Sequence, residues 1–321
     1  MRKQSIIWLV IAASLVLLGT IVFGGAMMAL GWDFSKLSTS EFETNYYDVD
    51  NIFSDISVLA DTADISFALA VDKKCSVVCH ENTRSKHLVS MKDGTLSIEL
   101  QHSRKWYDYI GIFNFDTPNI TVYLPSGRYG ELSVEASTGD VEIPDDFIFN
   151  SICVSLSTGD VTNNAPVSDD INIKTSTGNI KVANVSAGGL DLSVSTGKIT
   201  VSNVTCTGDV NISVSTGKSD ITDLECSNLG STGNTGDISM ENVVASGKFS
   251  IERTTGDVKF DACDASEISV KTDTGDVTGS LLTDKVFITE TDTGNVVVPE
   301  SVAGGKCKIF TDTGDIKMEI V

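Results

Sequence analysis

Acidic residues recur at one fixed place in this chain. Asp140 and Asp160 each follow a Thr-Gly pair, as do Asp237, Asp257, Asp276, Asn295 and Asp315 further along. Near the C-terminus a second acidic column joins, where Asp273, Asp292 and Asp312 turn the motif into Asp-Thr-Gly-Asp/Asn. Equivalent residues of a repeat stack, and a sheet spacing of about 4.8 Å brings like charges close unless they are screened or bridged. A hard cation with several oxygen ligands bridges such charges, so Asp273, Asp276, Asp292, Asn295, Asp312 and Asp315 form a candidate calcium site. The competing account is a solvated turn, in which salt screens the carboxylates and Asx-type hydrogen bonds hold them. The nonapeptide Gly-Asp repeat of calcium β-rolls does not occur in the chain. Calcium is the one cofactor these residues imply.

Other reactive side chains are scattered. Of the seven cysteines, Cys75 and Cys79 lie on one expected strand face, with His80 and His87 nearby, but the spacing matches no firm zinc pattern. Cys206 and Cys226 share a column in adjacent repeats, where a disulfide is geometrically feasible. Alanine fills that column elsewhere, so small buried thiols are the simpler account. No Gly-x-Ser-x-Gly, His-Glu-x-x-His or phosphate-binding glycine loop is present. One aromatic stretch holds Arg104, Trp106, Tyr107 and Tyr109. These residue types serve as binding anchors, and they serve equally well as an apolar plug.

The elements that position these residues follow from the repeat. Glycines at 139, 159, 178, 197, 217, 236, 256, 275, 294 and 314 are separated by 19 or 20 residues. Two and four positions after most of these glycines the chain is apolar, as in Val258 and Phe260; seven positions before all of them, and five before most, it is apolar again, as in Phe249 and Ile251. Each flank alternates as a strand with one buried face. The parity changes at the glycine, which marks a corner at positive φ, and it changes again before a third short side. The prediction is an all-β parallel β-solenoid of about ten coils over 131–321, roughly 50 Å long at the sheet spacing. The segment 51–130 reads as an irregular β cap. Within it, Asp55 to Phe67 is a degenerate repeat turning at Thr62-Ala63-Asp64, Lys92-Asp93-Gly94-Thr95 is a hairpin, and Ile120 to Pro125 is a strand. Ser231-Thr232-Gly233 puts polar and small residues where apolar ones belong, so a bulge or soft spot is expected there. The chain stops at Ile320-Val321, apparently within a strand, which predicts an open C-terminal edge suited to self-association.

Residues 6–30 carry no charge, and about 1.5 Å of rise per residue carries them across a hydrocarbon core of about 30 Å. Arg2 and Lys3 precede the span, and acidic residues dominate after it. The positive-inside rule predicts a cytoplasmic stub at 1–5, an uncleaved transmembrane anchor at 6–30, a linker at 31–50 and an exported body. The formal charge of −21 disfavours nucleic acid, whose binding rests on Lys and Arg at phosphates.

The run Ile120 to Pro125, then Leu132 to Val141, followed by Ser-Thr-Gly-Asp coils, resembles the bacterial β-strand-repeat family known as domain of unknown function 4097. The likeness spans roughly residues 50–321. It implies an exported, envelope-associated protein of adhesin type and supplies no catalytic residues. The leading expectation is a non-enzymatic, membrane-anchored rod that binds an envelope surface protein or carbohydrate, or assists envelope-stress sensing. A polysaccharide lyase or hydrolase on a β-helix and a self-associating structural rod are the alternatives.

Overall fold

The alternation on either side of each glycine becomes two strands of one coil, and every coil lays its strands on those of the next. The computed structural model describes residues 3–33, 41–101 and 116–321. Its 23 strands join a single sheet that winds around one apolar interior. On one side the file runs Leu132, Ile152, Ile171, Leu190, Val210, Leu229, Phe249 and Ile268, each paired in parallel with the next. On the other it runs Val141, Val161, Ile180, Ile199, Ser219, Ile238, Val258 and Val277. Nearly every member of both files is fully buried. Helix Lys3–Ala29 precedes this body, and its segment Ile7–Ala29 is long and apolar enough to span a membrane.

Two backbone devices turn the corners. The ten repeat glycines have φ between +127° and +157°. A Cβ on Gly256 would lie 2.1 Å from the Gly236 carbonyl oxygen, and its neighbours in the file are as tight. Glycine is needed both for its φ and for the close approach of successive coils. The second corner, six residues on, uses left-handed Asn184, Asn203, Asp223, Asn242 and Ala262, with φ between 50° and 58°. Asparagine and aspartate tolerate this region, and here they also bond one another along the file: Asn203 donates to Asn184 at 2.9 Å and Asn242 to Asp223 at 3.0 Å.

The coils do not follow chain order at either end. Strand Asp55–Leu59 lies between Thr95–Leu100 and Gly127–Thr138, so the first coil in sequence is second in space. At the far end, Gly305–Thr313 lies between Val258–Thr274 and Lys285–Thr293, and Ile316–Ile320 likewise sits between neighbours on both sides. This corrects the expected open C-terminal edge. The final coil is interior, and the outermost described one is 285–297. The file beyond Val258 and Val277 therefore passes through Ile316 before reaching Val296. The crossing back is narrow. A Cβ on Gly304 would meet the Asp284 carbonyl oxygen at 1.8 Å, and one on Gly305 would meet that of Ser266 at 1.8 Å. The buried Lys285 ammonium donates to Asp264 at 2.6 Å and holds the two sides of the crossing together.

At the opposite end the sheet is closed by antiparallel pairing. Strand His87–Lys92 folds onto Thr95–Leu100 through a turn with Asp93 and Gly94 at positive φ, as the sequence predicts. Strand Cys75–Asn82 adds antiparallel to Asn119–Leu124, and Phe42–Val49 adds to it. The degenerate repeat at Ala63 joins the glycine file, with Gly139 packed against its carbonyl.

The expected bulge at Ser231-Thr232-Gly233 is absent. That strand keeps its register on both sides, because Arg253 of the next coil fills the space. Its guanidinium donates to Ser231 at 2.9 Å and more weakly to Ser219 at 3.4 Å, while Nε and Nη1 are buried without a partner. Burial holds its pKa below the ordinary arginine value.

Two substitution sets check this account by denaturant unfolding. Gly256→Ala is expected to cost about 3 kcal/mol or more, whereas Gly127→Ala, in open space, should stay within about 0.5 kcal/mol of the parent. Replacing the polar pair by apolar equivalents (Ser231→Ile, Arg253→Val), with Gly233 kept because a Cβ there would meet the Val214 carbonyl oxygen at 2.5 Å, should stabilise the chain by about 1–4 kcal/mol. A loss of stability would show that Arg253 is favourable where it sits.

Candidate functional site: the Thr-Gly-Asp ridge

The residue before each repeat glycine is threonine in all ten coils. Strand pairing sets them in one file: Thr138, Thr158, Thr177, Thr196, Thr216, Thr235, Thr255, Thr274, Thr313 and Thr293. Every one is exposed. Their carbonyls accept the neighbouring coil's glycine N–H, as from Gly139 to Thr158 at 3.1 Å and Gly236 to Thr255 at 2.8 Å. The hydroxyl side of the file is thus held by the backbone and turned to solvent, with a rise of about 4.8 Å per rung. Three residues before the glycine, threonine has an inner task where it occurs: Thr175 and Thr311 donate to the carbonyls of Gly159 at 3.2 Å and Gly275 at 3.1 Å.

Beside the threonines run the acidic positions. Where Asp or Asn follows the glycine, its side-chain oxygen accepts the equivalent amide of the neighbouring coil. Asp140 N–H donates to Asp64 Oδ1 at 3.0 Å, Asp160 to Asp140 at 2.8 Å, Asn179 to Asp160 at 2.7 Å and Lys198 to Asn179 at 3.0 Å. The second run has Asp257 on Asp237 at 3.2 Å, Asp276 on Asp257 at 2.9 Å, Asp315 on Asp276 at 2.7 Å and Asn295 on Asp315 at 2.8 Å. The two runs are separated by Lys198 and Lys218, which pair with Asp220 at 2.5 Å and Asp237 at 2.9 Å. Lys218, and after it the Asp257 amide, hold the Asp237 carboxyl below the usual carboxylate range.

Of the six candidate calcium ligands, Asp276, Asp315 and Asn295 stand side by side in this chain of amide contacts. Asp273, Asp312 and Asp292 follow the same spatial order through the paired strands, so the acidic columns are contiguous but ordered 273, 312, 292. Asp276 and Asp315 thereby have a backbone task that needs no cation. Arg104, Trp106, Tyr107 and Tyr109 lie outside the described residues. All seven cysteines are free thiols, and Cys153 alone among them is exposed. Burial pushes the adjacent Cys206 and Cys226 thiols up to about 11 and about 12.

A family model described as Toastrack DUF4097 aligns with residues 53–319. The chain belongs to this family. Among solved structures it is similar to a putative lipid binding protein from Parabacteroides distasonis, at 19% identity over 75% of this chain and 98% of that one, with a TM-score of 0.49. It is also similar to a putative adhesin from Bacteroides fragilis, at 17% identity over 87% and 97% with a TM-score of 0.42. A putative adhesin from Parabacteroides merdae shows 14% identity over 88% and 98%, with a TM-score of 0.43. No curated protein matches the chain.

Sequence reasoning found the acidic file and the Thr-Gly pair before it, but gave the threonines, present in all ten repeats, no binding role. A conservative pair of variants separates the two accounts of the acids. Asp276→Asn keeps an oxygen acceptor, as Asn179 does naturally, and should leave stability within about 0.5 kcal/mol, while Asp276→Ala should cost about 1–3 kcal/mol. Thermal melts with and without calcium complete the test: a calcium-dependent gain that both variants lose would assign the file to cation binding.

Proposed function

We propose that this family member is a membrane-anchored, extracytoplasmic rod that binds a linear envelope carbohydrate along its Thr-Gly-Asp ridge without cleaving it. The observation that carries the reading is the in-register file of ten exposed threonines. A lattice of identical hydroxyls at constant spacing offers one partner group per rung, which suits a polymer with a periodic array of polar groups. Glycine beside each threonine leaves the ridge open for close approach. The coils of 131–321 differ in length by one residue, so among these described residues no long loop walls a groove in which a transition state could be enclosed.

The anchor reading rests on the apolar helix Ile7–Ala29, with Arg2 and Lys3 before it and the acidic body after it. That charge asymmetry favours a cytoplasmic N-terminus. The strong negative charge of the body disfavours nucleic acid and acidic polymers as partners, and favours neutral or basic ones.

An array of envelope polysaccharides, probed with the full chain in detergent micelles and read for both retention and new reducing ends, tests the proposal. Retention without new ends is expected. The isosteric set Thr216→Val, Thr235→Val and Thr255→Val should weaken binding at least tenfold with an unchanged melting temperature, since each lost hydrogen bond is worth about 1 kcal/mol. Binding indifferent to these changes overturns the ridge, and released reducing ends overturn the non-enzymatic reading.

A further inference from the structure

Under the antiparallel strands that close the N-terminal end of the rod lies a polar group that the ridge does not use. Cys79 and Glu81 sit two residues apart on strand Cys75–Asn82, so their side chains share its inner face. His87 begins the strand of the opposite side and reaches the same point. All three are buried, and one ligand atom from each lies within 4.8 Å of the others. Ordinary core packing does not account for the group. His87 Nδ1 contacts Glu81 Oε2 at 2.7 Å, the His87 amide donates to that same oxygen at 2.7 Å, and Asn45 donates to Oε1 at 2.8 Å. Oε2 thus has two donors and Oε1 one, which leaves Oε1 a lone pair for a ligand bond. The imidazole Nε2 is buried without a hydrogen-bond partner among the described residues. A buried imidazole with an unpartnered nitrogen, within 4.8 Å of a buried thiol and a buried carboxylate, is a costly arrangement unless something else joins the group.

We propose that Cys79, His87 and Glu81 form a binding site for a borderline-soft divalent cation of the zinc class. The donor set selects the metal: a thiolate and an imidazole suit zinc, whereas calcium and magnesium take oxygen ligands. The charge balances, since thiolate and carboxylate together neutralise one divalent ion. Bonds of about 2.3 Å to sulfur and about 2.0 Å to nitrogen draw the side chains onto one ion by small rotations. Binding takes the Cys79 proton to solvent. Without the ion, burial and then Glu81 push that thiol up to about 12, so it is no ready nucleophile. The site would pin Cys75–Asn82 to His87–Lys92, and so tie together the two sides of the rod at the end nearest the apolar helix in sequence.

The test uses the full chain in detergent micelles under reducing conditions, stripped by chelator and refolded with cobalt(II) as a spectroscopic stand-in for zinc. The expected result is a thiolate-to-cobalt charge-transfer band that saturates at one ion per chain and disappears on adding zinc. Cys79→Ser and His87→Gln should abolish it, and Cys307→Ser, at another buried thiol, should leave it. No band, or a band that survives Cys79→Ser, overturns the site. Because either variant could fail to fold, the unmodified chain provides a second readout. Zinc should slow alkylation of Cys79 at least tenfold in mild denaturant while leaving the exposed Cys153 unaffected, and equal rates with and without zinc overturn the proposal.

Discussion

The structure depends on how closely one coil can lie on the next at the glycine corner. There the backbone of each rung touches the carbonyl of its neighbour, with room for a hydrogen and nothing larger. The rest of the motif follows from that contact. The threonine carbonyl takes the adjacent glycine amide, and where the residue after the glycine is Asp or Asn it supplies a side-chain oxygen for the neighbouring coil's amide. Thr-Gly recurs in all ten coils, followed by Asp in six, Asn in two and Lys in two, and the acidity is first a property of the turn. What the unit leaves facing solvent is the threonine hydroxyls and the second oxygen of each carboxylate.

Much of this was legible in the sequence because a period of 19 or 20 residues forces equivalent side chains into files. The two strand faces, the glycine corner, the second corner and even the Ala63 rung could be read from alternation and its parity changes. The order of coils at the ends could not. Val277, Val296 and Ile316 are interchangeable as occupants of one file, so their identities do not say which lies next to which. The information resides in the crossings, where Gly304 and Gly305 admit a backbone at contact distance and Lys285 reaches Asp264. As isolated residues in a loop these gave no periodic signal. Arg253 was hidden for a related reason. A charged residue in a core column reads as an error until Ser231 and Gly233, one coil earlier, are seen to have vacated its space.

The buried Cys79–Glu81–His87 group marks a further limit. Strand alternation places Cys79 and Glu81 on one face, and that was available from the sequence. His87 follows Glu81 by six residues, and the turn after Asn82, closed by the Ser85 amide on the Asn82 carbonyl at 2.8 Å, brings it back onto the carboxylate. No known ligand motif encodes that meeting. The signal within reach was the presence of a carboxylate two residues from a cysteine that was already being considered as a ligand.

The displaced coil order also changes how the rod resists fraying. In a solenoid each coil is stabilised by its neighbours, so a terminal coil with one neighbour is the weakest. Were sequence order kept, the outermost rung would also be the free chain end, and opening would cost only one interface. Here the rung that ends the chain has a neighbour on each face. The outermost described rung is instead tethered at both of its own ends, through 282–284 and through the return at Gly304-Gly305. The first coil in sequence, Asp55 to Leu69, is enclosed in the same way at the other end. Opening either end therefore means releasing a closed loop rather than peeling a free strand, and loop closure limits the conformational entropy that opening can gain. A long rod of regular files gains most from this at its ends, where unwinding would otherwise begin.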